Sequence, residues 1–377
     1  MSCDARTVTV TGANGFIGRN LSLRLKERGV EVLPIVRHSS PGDLEAALSR
    51  SDAVIHLAAA NRPGDPAEFM RINRDFTAKV ADAVAACGRR PLVILASSAR
   101  AAADDEYGLS KRAGEAAMQA LADAITLSIW RLPNVFGKWA RPNYNSVVAT
   151  FCHNLARGLP LRIDDSSAPL TLLYIDDLID QWLAIIEGGA VQPGIAEPAD
   201  TYRTTLGELA ALLRGMADGR GAGRIANVGD GLERALYATY VSYLPPDRFA
   251  LPLATHSDPR GNFSEFLRTP DCGQVSVMTA HPGETRGGHY HHTKVEKFLV
   301  VHGEARLRFR NVESGETVEL AASGDCPTAI ETVPGWAHDI TNIGSGELVA
   351  LLWASEAFDP ARPDTVASPL CARLASR

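Results

Sequence analysis

The stretch 283–303, GETRGGHYHHTKVEKFLVVHG, decides the fold of the second half of the chain. It carries His289, His291 and Glu296 as spaced polar residues, followed by an apolar run and a glycine. Side chains two apart on a strand share a face, so both histidines are expected to point the same way. The run PGWAHDITN adds His338 on a second strand-like segment. We interpret these four residues as a metal site rather than a solvated His-rich hairpin, with ligands suited to zinc, iron, nickel or manganese.

The composition indicates a folded protein with more than one domain. The chain has 377 residues, 45% of them apolar and 22% charged, with a net charge of −6. It has no basic run and no apolar stretch near the ~18 residues of a membrane span, so we expect no nucleic-acid partner and no membrane insertion. Its six cysteines form no C-x-x-C pair, and its first residues show no secretory pattern. These features favour a cytoplasmic protein.

The N-terminal part begins as a dinucleotide-binding unit. The strand-like run TVTVT is followed at once by GANGFIG, a helical pattern up to Gly29 and a second strand, EVLPIV. Strand, glycine-rich turn, helix and strand form the first unit of a doubly wound parallel sheet. The first glycine makes the tight turn, the second lets the pyrophosphate approach, and the third lets helix and strand pack. The predicted cofactor contacts in this turn are Gly12, Asn14, Gly15, Phe16, Ile17 and Gly18.

Two further segments predict how the nucleotide is bound. The second strand is expected to end at Val36, where an NAD-preferring protein often has an acidic residue, but RHSS follows. Arg37 is placed to pair a 2′-phosphate, which favours NADPH, although it is also an ordinary surface residue type. The buried strand of SDAVIHLAAA then leads into a small-residue turn, where a nucleotide can lie close to the backbone. The contacts predicted there are Leu57, Ala58 and Ala59.

A catalytic group is predicted after the fourth strand, PLVILASS. Tyr107 and Lys111 lie four apart in DDEYGLSKRAGEAAMQAL, so they share one face of a helix, and Ser98 ends the strand before it. The segments TGANGFIG, DAVIHLAA, YGLSK, RLPNVFG and LLYIDDL resemble the extended short-chain dehydrogenase/reductase family over residues 8–186. The resemblance implies that Tyr107 is the general acid, that Lys111 lowers its pKa and holds the nicotinamide ribose, and that Ser98 or Ser97 binds the substrate carbonyl.

Two departures within this resemblance bear on substrate and reaction. Sugar-nucleotide 4,6-dehydratases of the family have Asp-Glu after the Ser/Thr, whereas this chain has Ala99 and Arg100. Carbonyl reduction is therefore expected rather than elimination of water. The segment NVFGKWARPNYNSVVATFCHNLARG is similar to the part that binds a nucleotide diphosphate sugar. It suggests Asn134, Arg141 and Asn145 as substrate contacts, although each is also a common loop residue.

The pattern changes near Pro245–Pro246, where mixed helix gives way to short alternating strands typical of a β-sandwich or small barrel. We therefore predict an α/β reductase domain over 1–245 and an all-β domain over 250–377. The second domain resembles the cupin superfamily, a β-barrel of jelly-roll type. Gly283, His289, His291, Glu296 and Gly303 match its first motif, and Gly335, His338 and Asn342 match its second, with Val333 in place of a proline.

A further fragment, HSDPRGNFSEF, is similar to a segment of nucleotide-sugar 3,5-epimerases, which are cupins that generally work without a metal. It suggests Arg260 as a substrate contact, together with Asp258, Phe263 and Glu265. Both halves in this order resemble a family of capsular-polysaccharide enzymes in which a short-chain reductase is fused to a metal-binding cupin. Segments such as PNYNSVVATFCHN, LYATYVSYLP and WASEAFDPARPDT carry that resemblance.

The resemblance implies a place in UDP-N-acetyl-L-fucosamine synthesis for capsule or O-antigen. The substrate is then a UDP-2-acetamido-2,6-dideoxy-4-hexulose, which the cupin epimerises at C3 and the reductase reduces at C4 with NADPH. Zinc is the expected metal and a homodimer the expected assembly. Two alternatives stay open: the cupin is a sugar-binding or dimer-forming module with a structural metal, or it performs dioxygenase chemistry. The base for C3 also stays open among His302, Lys294, Lys297 and Tyr290.

Overall fold

The structure is a computed structural model that describes residues 6–221, 224–252, 255–258, 261–264, 273–356 and 361–370. The chain forms two compact units. The first unit comprises residues 1–136, 143–146 and 170–203, and the second unit comprises 137–142, 147–169 and 204–377. The second unit thus includes helical segments that precede residue 245. The domain boundary between 245 and 250 stays a prediction about which parts fold independently.

The first unit is built on a parallel sheet of six strands in the order β2-β1-β3-β4-β5-β8. These strands are β1 (Thr7–Thr11), β2 (Glu31–Ile35), β3 (Ala53–His56), β4 (Leu92–Ser98), β5 (Thr126–Leu132) and β8 (Gly194–Ala196). The predicted doubly wound fold is confirmed, with β2 ending one residue before Val36. β2 and β3 pair with opposite edges of β1, and all three strands are parallel. The direction in which successive strands are added to the sheet therefore reverses at β1, and a crevice opens at the carboxyl ends of β1 and β3.

Helices cover this sheet and account for its apolar strands. Val54, Val80 and Val93 have no exposed surface, and they pack in one core with Leu48 and Met118. A sheet covered on both faces has apolar residues in succession instead of in alternation. The helices are α1 (Phe16–Glu27), α2 (Pro41–Leu48), α3 (Ala67–Phe69), a π-helical segment (Met70–Phe76), α4 (Thr77–Ala86), a 3-10 turn (Ala99–Ala102), α5 (Glu106–Gln119) and α7 (Ile175–Ile186).

A second, smaller sheet has three strands in the order β6-β7-β9. It consists of β6 (Asn134–Phe136), β7 (Pro169–Tyr174) and β9 (Tyr202–Thr205), and β6 runs parallel to β7. The sequence did not predict this sheet. No helix among the described residues is long and apolar enough to cross a membrane.

The second unit combines helices with two antiparallel sheets of five strands, in the orders β10-β18-β15-β20-β13 and β17-β16-β19-β14-β21. Its helices are α6 (Val147–Leu155), α8 (Leu206–Gly221), α9 (Gly231–Ser242) and a 3-10 turn (Pro246–Arg248). Its strands are β10 (Ala250–Pro252), β11 (Thr255–Asp258), β12 (Gly261–Ser264), β13 (Gln274–Ala280), β14 (Thr285–Tyr290), β15 (Glu296–His302), β16 (Glu304–Asn311), β17 (Thr317–Ser323), β18 (Thr328–Glu331), β19 (Trp336–Asn342), β20 (Leu348–Ala354) and β21 (Val366–Ala367).

The two five-stranded sheets meet through side chains at alternate positions. The ring centroid of His338 on β19 lies 6.3 Å from that of Phe298 on β15, in the other sheet. Alternation along β16 buries Ala305, Leu307 and Phe309, with the arginines between them less buried. The predicted all-β fold of the C-terminal part is therefore confirmed. A register shift between Gly287 and His289 on β14 lies beside the first predicted ligand.

Candidate functional sites

The glycine-rich turn lies at the crevice of the parallel sheet, and each glycine has a steric reason. Gly12 has a φ of 67°, and a Cβ there would lie 2.9 Å from the amide nitrogen of Ala58. A Cβ on Gly18 would lie 2.4 Å from the carbonyl oxygen of Gly12, so only glycine lets the helix pack this closely on the turn. Gly15 is the N-cap of α1, and no side chain caps that helix end. Uncapped N–H groups at a helix N-terminus bind phosphate, so the turn fits a dinucleotide.

The other predicted cofactor contacts surround this turn. Asn14 is exposed, and Phe16 and Ile17 begin α1 half-buried. Leu57 to Ala59 follow β3, where the Leu57 amide donates to Thr11 Oγ1 at 3.1 Å. Further out, the Arg37 side chain is 77% exposed, and its guanidinium lies 3.7 Å from Glu68 Oε1. A guanidinium with this exposure can turn toward an added phosphate.

Tyr107 lies at the start of α5 with polar groups around its hydroxyl. The hydroxyl donates to Asn61 Oδ1 at 3.2 Å, and the ring lies under the guanidinium of Arg100 at 5.9 Å. Burial raises the pKa of Tyr107, while a hydrogen bond with Ser98 and the charge of Arg100 oppose that rise. The hydroxyl is therefore protonated at neutral pH, as a proton donor must be. Neither Asn61 nor Arg100 was predicted to be near it.

The two serines at the end of β4 have different partners. Ser97 is buried and donates to Glu115 Oε1, and Glu115 also binds Arg131 through both carboxylate oxygens. Ser98 instead interacts with Tyr107. Lys111, one turn along α5 from Tyr107, donates from Nζ to the carbonyl oxygen of Ala96 at 2.9 Å. Burial lowers the pKa of Lys111 to about 8, against the opposing charge of Glu115.

A buried polar network behind this group escaped sequence reasoning. Asn73, in the π-helical segment, bonds the backbone of Ala60 through both its amide atoms and donates to Ser110 Oγ at 3.0 Å. It thereby ties the loop after β3 to α5. The neighbouring His56 bonds Thr11 and Thr77, and burial, with the charge of Lys111, lowers its pKa to about 3. π-helical insertions are frequent at functional sites, but only the structure reveals this one.

Three of the predicted substrate contacts, Asn134, Arg141 and Asn145, are exposed. Asn134 on β6 and Asn145 belong to the first unit, and Arg141 belongs to the second. Arg260 and Glu265 lie outside the described residues, and Asp258 and Phe263 are described only as parts of β11 and β12.

The four predicted metal ligands come together in the second unit. One ligand atom from each of His289, His291, Glu296 and His338 lies within 4.8 Å of the others. Strand pairing places His289 opposite His338, and the register shift in β14 comes directly before it. The Nε2 atoms of His291 and His338 lie 3.2 and 3.3 Å from Glu296 Oε2. Both nitrogens are buried and, despite this approach to Glu296, neither makes a well-aligned hydrogen bond with any described residue, so the donor set fits a divalent ion.

In two of the ligand histidines, the ring nitrogen that faces away from the centre, Nδ1, lies beside a backbone carbonyl oxygen. His291 Nδ1 lies 2.5 Å from the carbonyl oxygen of Asp364, and His338 Nδ1 lies 3.3 Å from that of Trp336. Such bonds fix the tautomer that leaves Nε2 as a metal ligand. Burial raises the pKa of Glu296, but the two imidazoles outweigh it and hold that pKa well below the ordinary range. Burial lowers the pKa of His289 to about 4, so its imidazole is neutral at pH 7.

Gly335 of the second cupin motif has a specific structural role. Its φ is 80°, and a Cβ there would lie 2.7 Å from the ring of Trp139, within the same unit. Its amide donates to the carbonyl oxygen of His291 at 3.0 Å. The turn before β19, the strand that carries His338, is thus hydrogen-bonded to a second ligand residue, His291.

Three of the four candidate bases lie away from the ligands, and the fourth, Lys294, is close enough for its charge to act on His289. Lys297 follows Glu296 on β15, points to the opposite face and is ion-paired with Glu331 at 3.0 Å. Tyr290 alternates in the same way with its two flanking histidines and is buried. Lys294 Nζ donates to Thr365 Oγ1 and the Pro363 carbonyl, and His302 is exposed at the far end of β15.

Two family models match separate parts of the chain. Residues 8–195 match the NAD dependent epimerase/dehydratase family, and residues 256–366 match the polysaccharide biosynthesis C-terminal domain. The chain is 50% identical over 363 residues to the UDP-2-acetamido-2,6-beta-L-arabino-hexul-4-ose reductase of Pseudomonas aeruginosa, covering 96% of this chain and 98% of that protein.

Solved structures give the same result. The capsular polysaccharide assembling protein CapF of Staphylococcus aureus matches with a TM-score of 0.66 and 39% identity, over 96% of this chain and all of CapF. CapF with the inhibitor 3-isopropenyl-tropolone matches with a TM-score of 0.60 and 36% identity, over 97% and 100% of the two chains. The chain therefore belongs to this family of enzymes, in which a short-chain dehydrogenase/reductase fold precedes a cupin.

Proposed function

We propose that this protein is an NADPH-dependent reductase of a UDP-2-acetamido-2,6-dideoxy-4-hexulose, which it also epimerises at C3, in UDP-N-acetyl-L-fucosamine synthesis. The 50% identity to a UDP-4-keto-sugar reductase along nearly the whole chain carries the proposal. The Tyr107–Ser98–Lys111 group and the glycine-rich turn support reduction at C4. Zinc is the metal that we propose for the centre in the second unit, and a homodimer is the assembly.

In the first unit, bound NADPH would supply the hydride for C4. Ser98 holds the ketone oxygen, and Tyr107 donates its phenolic proton to that oxygen as the alcohol forms. Lys111, with its lowered pKa, stands beside Tyr107 and stabilises the phenolate that the proton leaves behind. Arg37 binds the 2′-phosphate that distinguishes NADPH from NADH.

In the second unit, the proton on C3 is acidic because it is α to the C4 ketone. A divalent ion would supply a Lewis acid for the negative charge that develops on the ketone oxygen. His289, the half-buried member of the ligand set, marks the side from which a substrate reaches the centre. A tropolone has two adjacent oxygens of the kind that chelate metals, so the tropolone inhibitor of CapF is consistent with a metal in that protein.

One observation favours a second candidate function. Four protein ligands, which the described residues bring together, are typical of a structural metal site, whereas catalytic sites keep an open position. In that case the second unit is a sugar-binding or dimer-forming module, and the first unit alone is catalytic. The two functions differ in whether the C3 proton exchanges with solvent.

Proton exchange in deuterated water tests both. With a UDP-2-acetamido-4-keto-6-deoxy sugar and no NADPH, we expect deuterium at C3 that is lost in His289→Ala. Tyr107→Phe should stop NADPH oxidation and leave the exchange intact. Absence of exchange, with NADPH still consumed when it is added, would support the reductase-only function.

A further inference from the structure

The segment 363–368, which we call the tail segment, runs beside the metal centre although it is far from the ligands in sequence. Its strand β21 pairs with β14, where Ala367 lies opposite His289. The amide of Ser368 extends this pairing by donating to the carbonyl oxygen of Gly288 at 2.7 Å. The tail segment thus completes one edge of the strand that carries His289 and leads into His291.

Asp364 is the residue of the tail segment with the most contacts to the centre. Its carboxylate accepts the backbone N–H groups of His292, Thr293 and Lys294 at 2.8–2.9 Å, and also the Thr293 hydroxyl. Its carbonyl oxygen holds His291 Nδ1. These bonds fix the loop between two ligands, His291 and Glu296, at both the backbone and the ring.

We infer that Asp364 is a positioning residue of the metal centre: it holds His291 in the tautomer and orientation that present Nε2 to the ion. The inference rests on the metal centre of the proposed function. The contacts are specific, because one residue binds three successive amides and a ligand ring. Asp364 also has a φ of 31°, a strained conformation for a residue with a side chain, and its hydrogen bonds outweigh that strain.

Two substitutions separate the backbone from the carboxylate. Asp364→Gly tolerates the positive φ and keeps the carbonyl toward His291, but it removes all four side-chain bonds. Asp364→Asn keeps one accepting oxygen for Thr293 and Lys294 and turns a donor toward the His292 amide. Thr365→Ala is the matched control, since it removes a tail-segment bond to the side chain of Lys294 and leaves the bonds of Asp364 to the backbone of the loop in place.

The test is Zn²⁺ affinity of the metal-stripped full-length protein, measured against a competing chromogenic chelator, with melting temperature recorded with and without Zn²⁺. Removing an outer partner of a metal ligand typically costs about 10- to 100-fold in affinity. Asp364→Gly keeps the carbonyl partner of His291 and loses only the bonds that fix the loop after it, so we expect a loss near the lower end of that range, a smaller loss for Asp364→Asn and none for Thr365→Ala. The gain in melting temperature on adding Zn²⁺ should shrink in the same order.

A purely structural role gives a different result. Asp364→Gly would then lower the melting temperature equally with and without Zn²⁺ and leave the affinity unchanged, which overturns the inference. If Asp364→Gly does not fold, unchanged affinity in Asp364→Asn has the same meaning. Wild-type protein that binds no Zn²⁺ would overturn the metal centre itself, whereas wild-type binding that His338→Ala abolishes and Asp364→Gly retains would overturn only the role of Asp364.

Discussion

Lys297 Nζ lies 3.0 Å from Glu331 Oε1 inside the second unit, and Arg220 Nε lies 2.5 Å from the other oxygen of the same carboxylate. All three side chains are buried, on β15, β18 and α8. Two cations around one carboxylate hold the pKa of Glu331 below its ordinary value against the effect of burial. Lys297 thus belongs to a buried ion-pair network that joins α8 to two strands, and it is not free to remove a proton at C3.

Replacement of Glu331 by Gln should destabilise the second unit strongly. It would leave the charges of Lys297 and Arg220 buried without an anion, and breaking a buried ion pair in this way costs about 3–5 kcal/mol. Urea unfolding of the full chain, followed by tryptophan fluorescence, measures the change. Asp164→Asn is the control within the same unit, because its pair with Arg162 is exposed and should contribute under about 1 kcal/mol. Equal midpoints for the two variants would contradict this role for Glu331.

Lys111→Met should abolish reduction and yet stabilise the fold. The pKa of Lys111 falls from 10.5 to about 8 on folding, so at pH 7 the charged lysine is present in both states and its burial penalty is fully expressed. That penalty is on the order of 3 kcal/mol, offset by roughly 1 kcal/mol for the lost bond to Ala96.

The pH dependence of the free energy of unfolding tests whether burial of Lys111 is destabilising. Between pH 8 and 10.5 the unfolded chain binds more protons than the folded one at Lys111, so the stability of the wild type rises with pH there. The advantage of Lys111→Met in urea midpoint should therefore be largest at pH 7 and shrink by pH 9.5. A constant difference between the two pH values would mean that folding does not lower the pKa of Lys111.

Much of both folds follows from local sequence patterns. The strand, glycine turn and helix at Gly12 and the alternation along β16 each depend on neighbours within a few residues, so periodicity predicts them. The spacing of His289, His291 and Glu296 likewise predicts a shared site, and the structure brings His338 to it. These signals are local or come from two strands with recognisable motifs.

What the sequence missed depends on contacts between distant segments. Asn61 bonds Tyr107 across 46 positions, and Asp364 bonds the loop after His291 across more than 70. Asn and Asp are ordinary loop residues, so neither position has a local signature. Ser97 and Ser98 likewise have no local feature that distinguishes them, and only the fold reveals that Ser97 bonds the helical residue Glu115.

Arg37→Ser should change cofactor preference more than turnover. Arg37 is exposed and makes only a long contact with Glu68, so its loss should cost little stability. Without the guanidinium, the KM for NADPH should rise about 10-fold or more, as expected for the loss of one charged hydrogen-bonding partner, while the KM for NADH stays the same. Arg71→Ser, which removes another partner of Glu68, is the control. An equal rise with both cofactors would show that Arg37 does not contact the 2′-phosphate.

Gly114→Ala should damage the first unit through the backbone that supports Tyr107. A Cβ on Gly114 would lie 2.2 Å from the carbonyl oxygen of Asn73, so α5 must move away from the π-helical segment. Overpacking of this kind costs about 1–3 kcal/mol, and the shift should also lower kcat, because α5 carries Tyr107 and Lys111. The control is Gly42→Ala on α2, where the nearest atom is 3.7 Å away and about 0.4–1 kcal/mol of stabilisation is expected. Melting temperature and the rate of NADPH oxidation are measured on both variants. An active and stable Gly114→Ala would show that neither the fold nor catalysis needs the close approach of α5 to the π-helical segment.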